Sequence, residues 1–160
     1  MPTFHALQGI IGSGKSTYAN SLLALHPDWE YLCPDVIREE LTGSTEDQSV
    51  NHFIFTKIIP QRILTAANSG RDILYDATNY RVKNRREVFE LAKSLGYRVI
   101  VHVMQTPFDV CWTRNAARER VVPRHVYDRM VAGWCVPDLA REPYLDEIVN
   151  VPYISEPVAT

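Results

Sequence analysis

The sequence predicts a three-layer α/β fold, with a parallel sheet of about four or five strands flanked by helices. Three observations predict it. Short apolar runs alternate with amphipathic stretches along the chain. A glycine-rich loop, Gly9-Ile10-Ile11-Gly12-Ser13-Gly14-Lys15-Ser16, joins the first run to the first amphipathic stretch. Further on, the apolar run Ile73-Leu74-Tyr75 closes on a carboxylate, Asp76. The 160 residues suit one domain spanning 1–160, with no internal repeat, low-complexity tract or Gly/Ser linker.

The elements follow in order. Thr3 to Leu7 reads as a short strand. Lys15 to Leu25 reads as a helix, with Tyr18, Leu22 and Leu25 on one face. Trp29 to Cys33 is a second strand, and a helix from Asp35 to about Leu41 stops at Thr42-Gly43. Residues 43–48 are polar and read as a loop. Ser49 to Asn68 is a long helical stretch, with a kink or break expected at Pro60. Arg71 to Asp76 is a third strand. Val82 to Leu95 is an amphipathic helix ended by Gly96, with Val88, Leu91 or Ala92, and Leu95 on its inner face. Tyr97 to Met104 is a long strand. Thr106-Pro107-Phe108-Asp109 reads as a capped helix start, the helix running to about Glu119. A further helix spans Pro123 to about Val131, residues 137–142 are irregular, and Ile148 to Ile154 is a last strand interrupted at Pro152.

Composition narrows the function classes. Apolar residues make up 46% and charged residues 22%, as in globular domains. The net charge of -2 gives no global positive field, so any site for a polyanion is local. Cys33, Cys111 and Cys135 are odd in number and far apart, and the five histidines have no metal-ligand spacing. No disulfide-linked partner is expected. No apolar stretch approaches the roughly 20 residues needed to cross a bilayer. No leader is apparent at the N-terminus, and a cytoplasmic location without a membrane partner is expected.

The glycine-rich loop carries the strongest chemistry. Gly9, four residues, then Gly14-Lys15-Ser16 is the spacing of a phosphate-binding loop, here between a strand and a helix. Glycines let the backbone approach phosphate oxygens, and successive N–H groups make an anion-binding concavity at a helix N-terminus. Gly9, Gly12, Ser13, Gly14 and Lys15 are the expected nucleotide contacts. Lys15 reaches the β/γ-phosphates, Ser16 is a magnesium ligand, and Thr17 sits near the α-phosphate. No Asn-Lys-x-Asp run for guanine occurs, so ATP with Mg2+ is the expected nucleotide.

Other residues admit two readings each. Asp76 fits a strand-end carboxylate that orients magnesium through water, the other reading being a turn cap before Ala77-Thr78-Asn79. Asp35 fits a base for an attacking hydroxyl, or a helix cap. Arg38 lies three residues on, to hold an anionic acceptor or to pair with Asp35. Arg114, Arg118 and Arg120 fit a lid over about residues 114–126 whose arginines stabilise a transferring phosphoryl group, or a solvated helix end. Arg81, Lys83, Arg85 and Arg86 fit contacts to acceptor phosphates, or solubility charges.

Taken together, the ordered motifs resemble the P-loop kinases related to the kinase domain of phage polynucleotide kinase, a group also described as AAA-type ATPases. The matching stretches are Gly14 to Thr17, Asp35 to Gly43, Tyr75 to Asn79, Arg85-Arg86, Ala92 to Gly96, Thr106-Pro107, Arg114 to Arg120 and Val122-Pro123. The resemblance implies a P-loop NTPase sheet of order 2-3-1-4-5. It implies that Asp35 is the general base and that Arg38 supports the acceptor phosphate or the reaction centre. Arg118 matches the lid arginine on the donor phosphates, Arg114 its neighbour, and Asp76 the carboxylate of Asp-x-Thr-Asn. Two departures stand out: Cys33-Pro34 before Asp35, and a segment from Trp134 to Glu147 without the usual glycine-phenylalanine ending.

The leading expectation is a kinase that moves the γ-phosphate of ATP to a hydroxyl, preferably the 5'-hydroxyl of a nucleic acid. Its catalytic residues would be Lys15, Asp35, Arg38 and Arg118. Two rivals are a small-molecule kinase acting on a nucleoside, sugar or antibiotic, and an ATP switch that binds a partner or tRNA and transfers nothing.

Overall fold

The computed structural model describes residues 1–155. Its strands are β1 (Thr3–Gln8), β2 (Glu30–Leu32), β3 (Ile73–Tyr75), β4 (Arg98–Met104) and β5 (Glu147–Val151). They form one parallel sheet in the order β2-β3-β1-β4-β5. That is the expected order. Crossovers between parallel strands carry the helices α1 (Lys15–Leu25), α2 (Pro34–Thr42), α3 (Asn51–Phe53), α4 (Ile59–Asn68), α5 (Val82–Ser94), α6 (Phe108–Ala116) and α7 (Arg124–Ala132).

The alternation of each strand divides the core. Phe4 and Ala6 of β1 and Ile73 and Tyr75 of β3 join Ile59, Ile63, Val88, Phe89 and Ala92 from α4 and α5. Leu7 and Leu74 face the other way, under Ala19 of α1, with Tyr18, Leu22, Trp29 and Tyr31 around them. That second face also holds two histidines. His102 Nε2 lies 3.1 Å from His5 Nδ1, and its Nδ1 lies 2.8 Å from the Tyr18 hydroxyl. Burial, then the neighbouring His5, pushes His102 down to about 4. Among the described residues no cluster suits a metal ion, and the three cysteines are free.

Several expectations need correction. The stretch 49–68 is helical but is broken into several pieces, the last break falling just before Pro60 as expected. A 3₁₀ turn (Gln48–Val50), α3 and a π turn (Ile54–Ile58) precede α4. In the π turn Ile59 N bonds Ile54 O, five residues back. Pro60 has no N–H to donate, and its ring crowds the carbonyl four residues earlier, so the ladder widens just before it. α6 stops at Ala116 rather than near Glu119. Asn115 is buried there and its amide group both donates to and accepts from the backbone of Val122, folding the chain back. Thr106 does not cap α6; its hydroxyl donates to the Ser13 carbonyl at 2.7 Å, and Pro107 takes the cap position.

Arg85 is the largest correction. It is fully buried and is neither a solubility charge nor an acceptor contact. Its Nε and Nη2 each donate to Glu142 at 2.8 Å, and its Nη1 donates to the carbonyls of Asn79 and Cys135. Tyr144 and the Asp138 amide complete the Glu142 carboxylate. Burial works against the charge on Glu142, but these donors hold its carboxyl below the usual range. Arg81, Lys83 and Arg86 remain exposed.

Candidate active site

The glycine-rich loop leaves the C-terminal end of β1, where parallel α/β sheets bind ligands. Gly12 and Gly14 have φ of 78° and 87°, the left-handed region that glycine enters without strain. A side chain on Gly12 would also strike the backbone carbonyl of Cys111 in α6. The loop is gripped from outside by Gly9 N to Thr78 O at 3.2 Å and by the Thr106 bond to Ser13. Ser13 is buried, and its hydroxyl has no hydrogen-bond partner among the described residues. An unsatisfied buried oxygen inside an N–H-lined loop fits a loop shaped for a polar group. Ser16 and Thr17 are exposed on the first turn of α1.

Lys15 Nζ meets Asp76 Oδ1 at 2.5 Å. Asp76 is 4% exposed, directly after β3, and its amide donates to Leu32 O. Its other oxygen, Oδ2, accepts from the Tyr31 hydroxyl at 2.5 Å. Burial, and next the bond to Asp76, pushes the Tyr31 hydroxyl up, so it stays a donor. Asp76 therefore does not cap the turn that follows it; both oxygens face side chains of the loop and of β2.

Asp35 and Arg38 come together on α2. The helix starts one residue earlier than expected, with Cys33 at the cap and Pro34 in the first turn. Asp35 is thus not the cap. Its side chain is 70% exposed, with Oδ1 taking Nη1 of Arg38 at 2.6 Å. Arg38 is buried, and it also donates to Asn51 Oδ1 at 2.9 Å and to Thr45 O at 3.0 Å. One guanidinium so joins α2, the loop after it and α3.

The arginines near the end of α6 divide. Arg114 lies beside the loop, with Nη1 3.7 Å from where a Cβ on Gly14 would stand. Its guanidinium sits 5.6 Å above the Tyr153 ring. A cavity of about 270 Å³ opens here, lined by Asp109, Val110, Thr113, Arg114, Tyr153 and Ser155. Arg118 lies beyond the end of α6 and is exposed, so it does not share a helix face with Arg114. Arg120 reaches the loop after α2, where Nη1 meets the Thr45 hydroxyl and Nε lies 3.8 Å from Glu46 Oε1.

Sequence reasoning missed Tyr31, Asn51, Thr45 and Tyr153. Tyr31 had a partial signal, since it alternates with Leu32 along β2 and falls on the face that carries α1. The other three depend on which loops meet and left no local pattern.

The comparisons with known proteins agree with this fold. A family model described as an AAA domain matches residues 5–137. The crystal structure of a fungal RNA kinase aligns at a TM-score of 0.69 and 16% identity, over 98% of this chain and 77% of that one. Kti12 of Chaetomium thermophilum, in complex with ADP-AlF3, gives 0.69 at 14% identity, over 94% and 89%. A sugar kinase from Janibacter sp. gives 0.66 at 15%, over 94% and 86%. At these identities the likeness establishes the P-loop kinase fold. No helix among the described residues is long and apolar enough to cross a membrane.

Proposed function

The chain belongs to the AAA domain family, and from that premise we propose that it is an ATP-dependent phosphotransferase whose acceptor is a hydroxyl. The observation that carries this reading is Asp35: an exposed carboxylate, not used as a cap, steered by a buried arginine. A protein that only switches on ATP has no need of such a group. The preferred acceptor is a nucleic-acid 5'-hydroxyl. The fold of an RNA kinase supports this choice, and that of a sugar kinase supports the rival small hydroxyl compound.

In this reading the loop from Gly9 to Thr17 holds the triphosphate through backbone N–H groups and the start of α1. Lys15 leaves Asp76 for the β/γ-phosphates. The purine enters the cavity between Arg114 and Tyr153, where an aromatic face and a guanidinium plane favour a flat ring. Ser16 and Asp76 would hold Mg2+, directly and through water, which supplies positive charge against the phosphate oxygens. Asp35 takes the proton of the acceptor hydroxyl as its oxygen attacks the γ-phosphorus. The bond to the β–γ bridging oxygen breaks and ADP leaves. The segment carrying Arg114, Arg118 and Arg120 acts as the lid, with Arg118 free to turn toward the charge that builds on the transferring group.

An acceptor panel with γ-labelled ATP tests the reading. Label on oligonucleotides bearing a 5'-hydroxyl is the expected result. Label confined to sugars or nucleosides replaces the acceptor class. Nucleotide binding with no labelled acceptor moves the protein to the switch reading.

A further inference from the structure

We infer that Tyr31 is a positioning residue for Asp76, and through it for the magnesium of a bound nucleotide. The inference rests on the nucleotide reading above and adds a residue to it. Asp76 is buried, and its two carboxylate oxygens meet two side-chain donors. Lys15 binds Oδ1 and Tyr31 binds Oδ2, each at 2.5 Å. The two donors are not equivalent. Lys15 has a long flexible stem and a second task at the phosphates, so its bond to Asp76 is the one that must break on nucleotide binding. Tyr31 then remains the side-chain donor on the carboxylate.

Tyr31 is built to stay in place. It lies in β2, hydrogen-bonded to β3 in the register Tyr31 to Leu74, two residues before Asp76. Its ring packs against the cluster of Leu7, Ala19 and Leu74 beneath α1. Its backbone carbonyl takes a bond of 2.8 Å from Arg62 Nη2. A carboxylate turns about one soft torsion, and a bond to one oxygen fixes where the other points. With Oδ2 held on the β2 side, Oδ1 faces the loop whether Lys15 is present or not. This is how an outer partner orients a group that meets a metal or its water.

Tyr31→Phe removes the hydroxyl and keeps the ring in its cluster. Binding of a fluorescent ATP analogue by the full chain is measured at equilibrium, once in EDTA and once across a Mg2+ titration. The expected result is affinity in EDTA within about twofold of wild type, with the Mg2+ needed for half-maximal tightening raised about tenfold. Superimposable Mg2+ titrations overturn the inference. So does an equal loss with and without Mg2+, which marks Tyr31 as part of the packing alone. If wild type does not bind the ATP analogue at all, the nucleotide reading fails and this inference goes with it. Wild-type binding that ignores Mg2+, or a Tyr31→Phe titration that matches a Mg2+-sensitive wild type, removes only the inference.

Discussion

The two sides of the proposed phosphotransfer site are made differently. Its donor side is backbone and burial. Gly12 lies against the Cys111 carbonyl, Thr106 grips Ser13, and Asp76 is closed in between Lys15 and Tyr31. The acceptor side is side chain on side chain. Asp35 stands in solvent, and its direction depends on Arg38, which depends on Asn51 and the Thr45 carbonyl. A phosphate cradle needs fixed dipoles, which a backbone supplies at no cost of rotamer freedom. An acceptor site needs a group aimed outward, and a relay of side chains can be retuned without rebuilding the sheet.

This contrast breaks most sharply at Gly12. Gly12→Ala forces a side chain into the left-handed region and onto the Cys111 carbonyl. Nucleotide affinity should fall about a hundredfold or more, roughly 3 kcal/mol. A binding isotherm with the fluorescent ATP analogue measures it, and near-normal affinity would mean the loop is not the cradle.

Arg38→Met tests the other side. It frees Asp35 and leaves Asn51 and Thr45 without their shared donor. Phosphate transfer should drop about a hundredfold, as misorientation of a reacting group does, while nucleotide affinity stays within about twofold. Single-turnover transfer beside the binding isotherm separates the two. Loss of both together would erase the division between the sides.

Acid should weaken the donor side first. His102 holds the Tyr18 hydroxyl under α1, with His5 next to it and Asp72, His26 and Arg98 around His5. Its pKa falls from 6.5 unfolded to about 4 folded, so the folded state favours the neutral ring. The stability this gives is complete above about pH 6.5 and is lost as pH falls toward 4. Urea unfolding should show about 2 kcal/mol less stability at pH 5 than at pH 7, and His102→Leu should flatten that slope.

Arg120→Ala is the mildest change. Both ends of the contact between Arg120 and Thr45 and Glu46 are exposed, so folding stability should move by less than about 1 kcal/mol. The acceptor KM should change a few-fold and the ATP KM should not. An ATP KM that moves instead would assign this contact to the donor side.

The same contrast explains what could be read from the chain. The donor loop depends on glycine spacing and a flanking strand and helix, all local, and it reads directly. The parallel sheet follows from the alternation of strands and helices, whereas its strand order came only with the resemblance of the ordered motifs. Arg85 was unreadable because its partner, Glu142, lies 57 residues away; by itself a basic residue in the first turns of a helix resembles surface charge. Thr106 had the spacing of a cap, but the carbonyl of Ser13 competes for its hydroxyl, and that contact spans 93 residues. The end of α6 carries no glycine or proline signal; a side chain, Asn115, ends it by holding Val122. Asp35 read as cap and base alike until Pro34 proved to open the helix.

Asp35→Asn tests the central claim most directly. The change keeps the size of the side chain and removes its ability to take a proton. Transfer of labelled γ-phosphate to a hydroxyl acceptor should fall about a thousandfold or more, with affinity for the ATP analogue unchanged within about twofold. Transfer at the wild-type rate would contradict the proposal, because Asp35 would then not be the base.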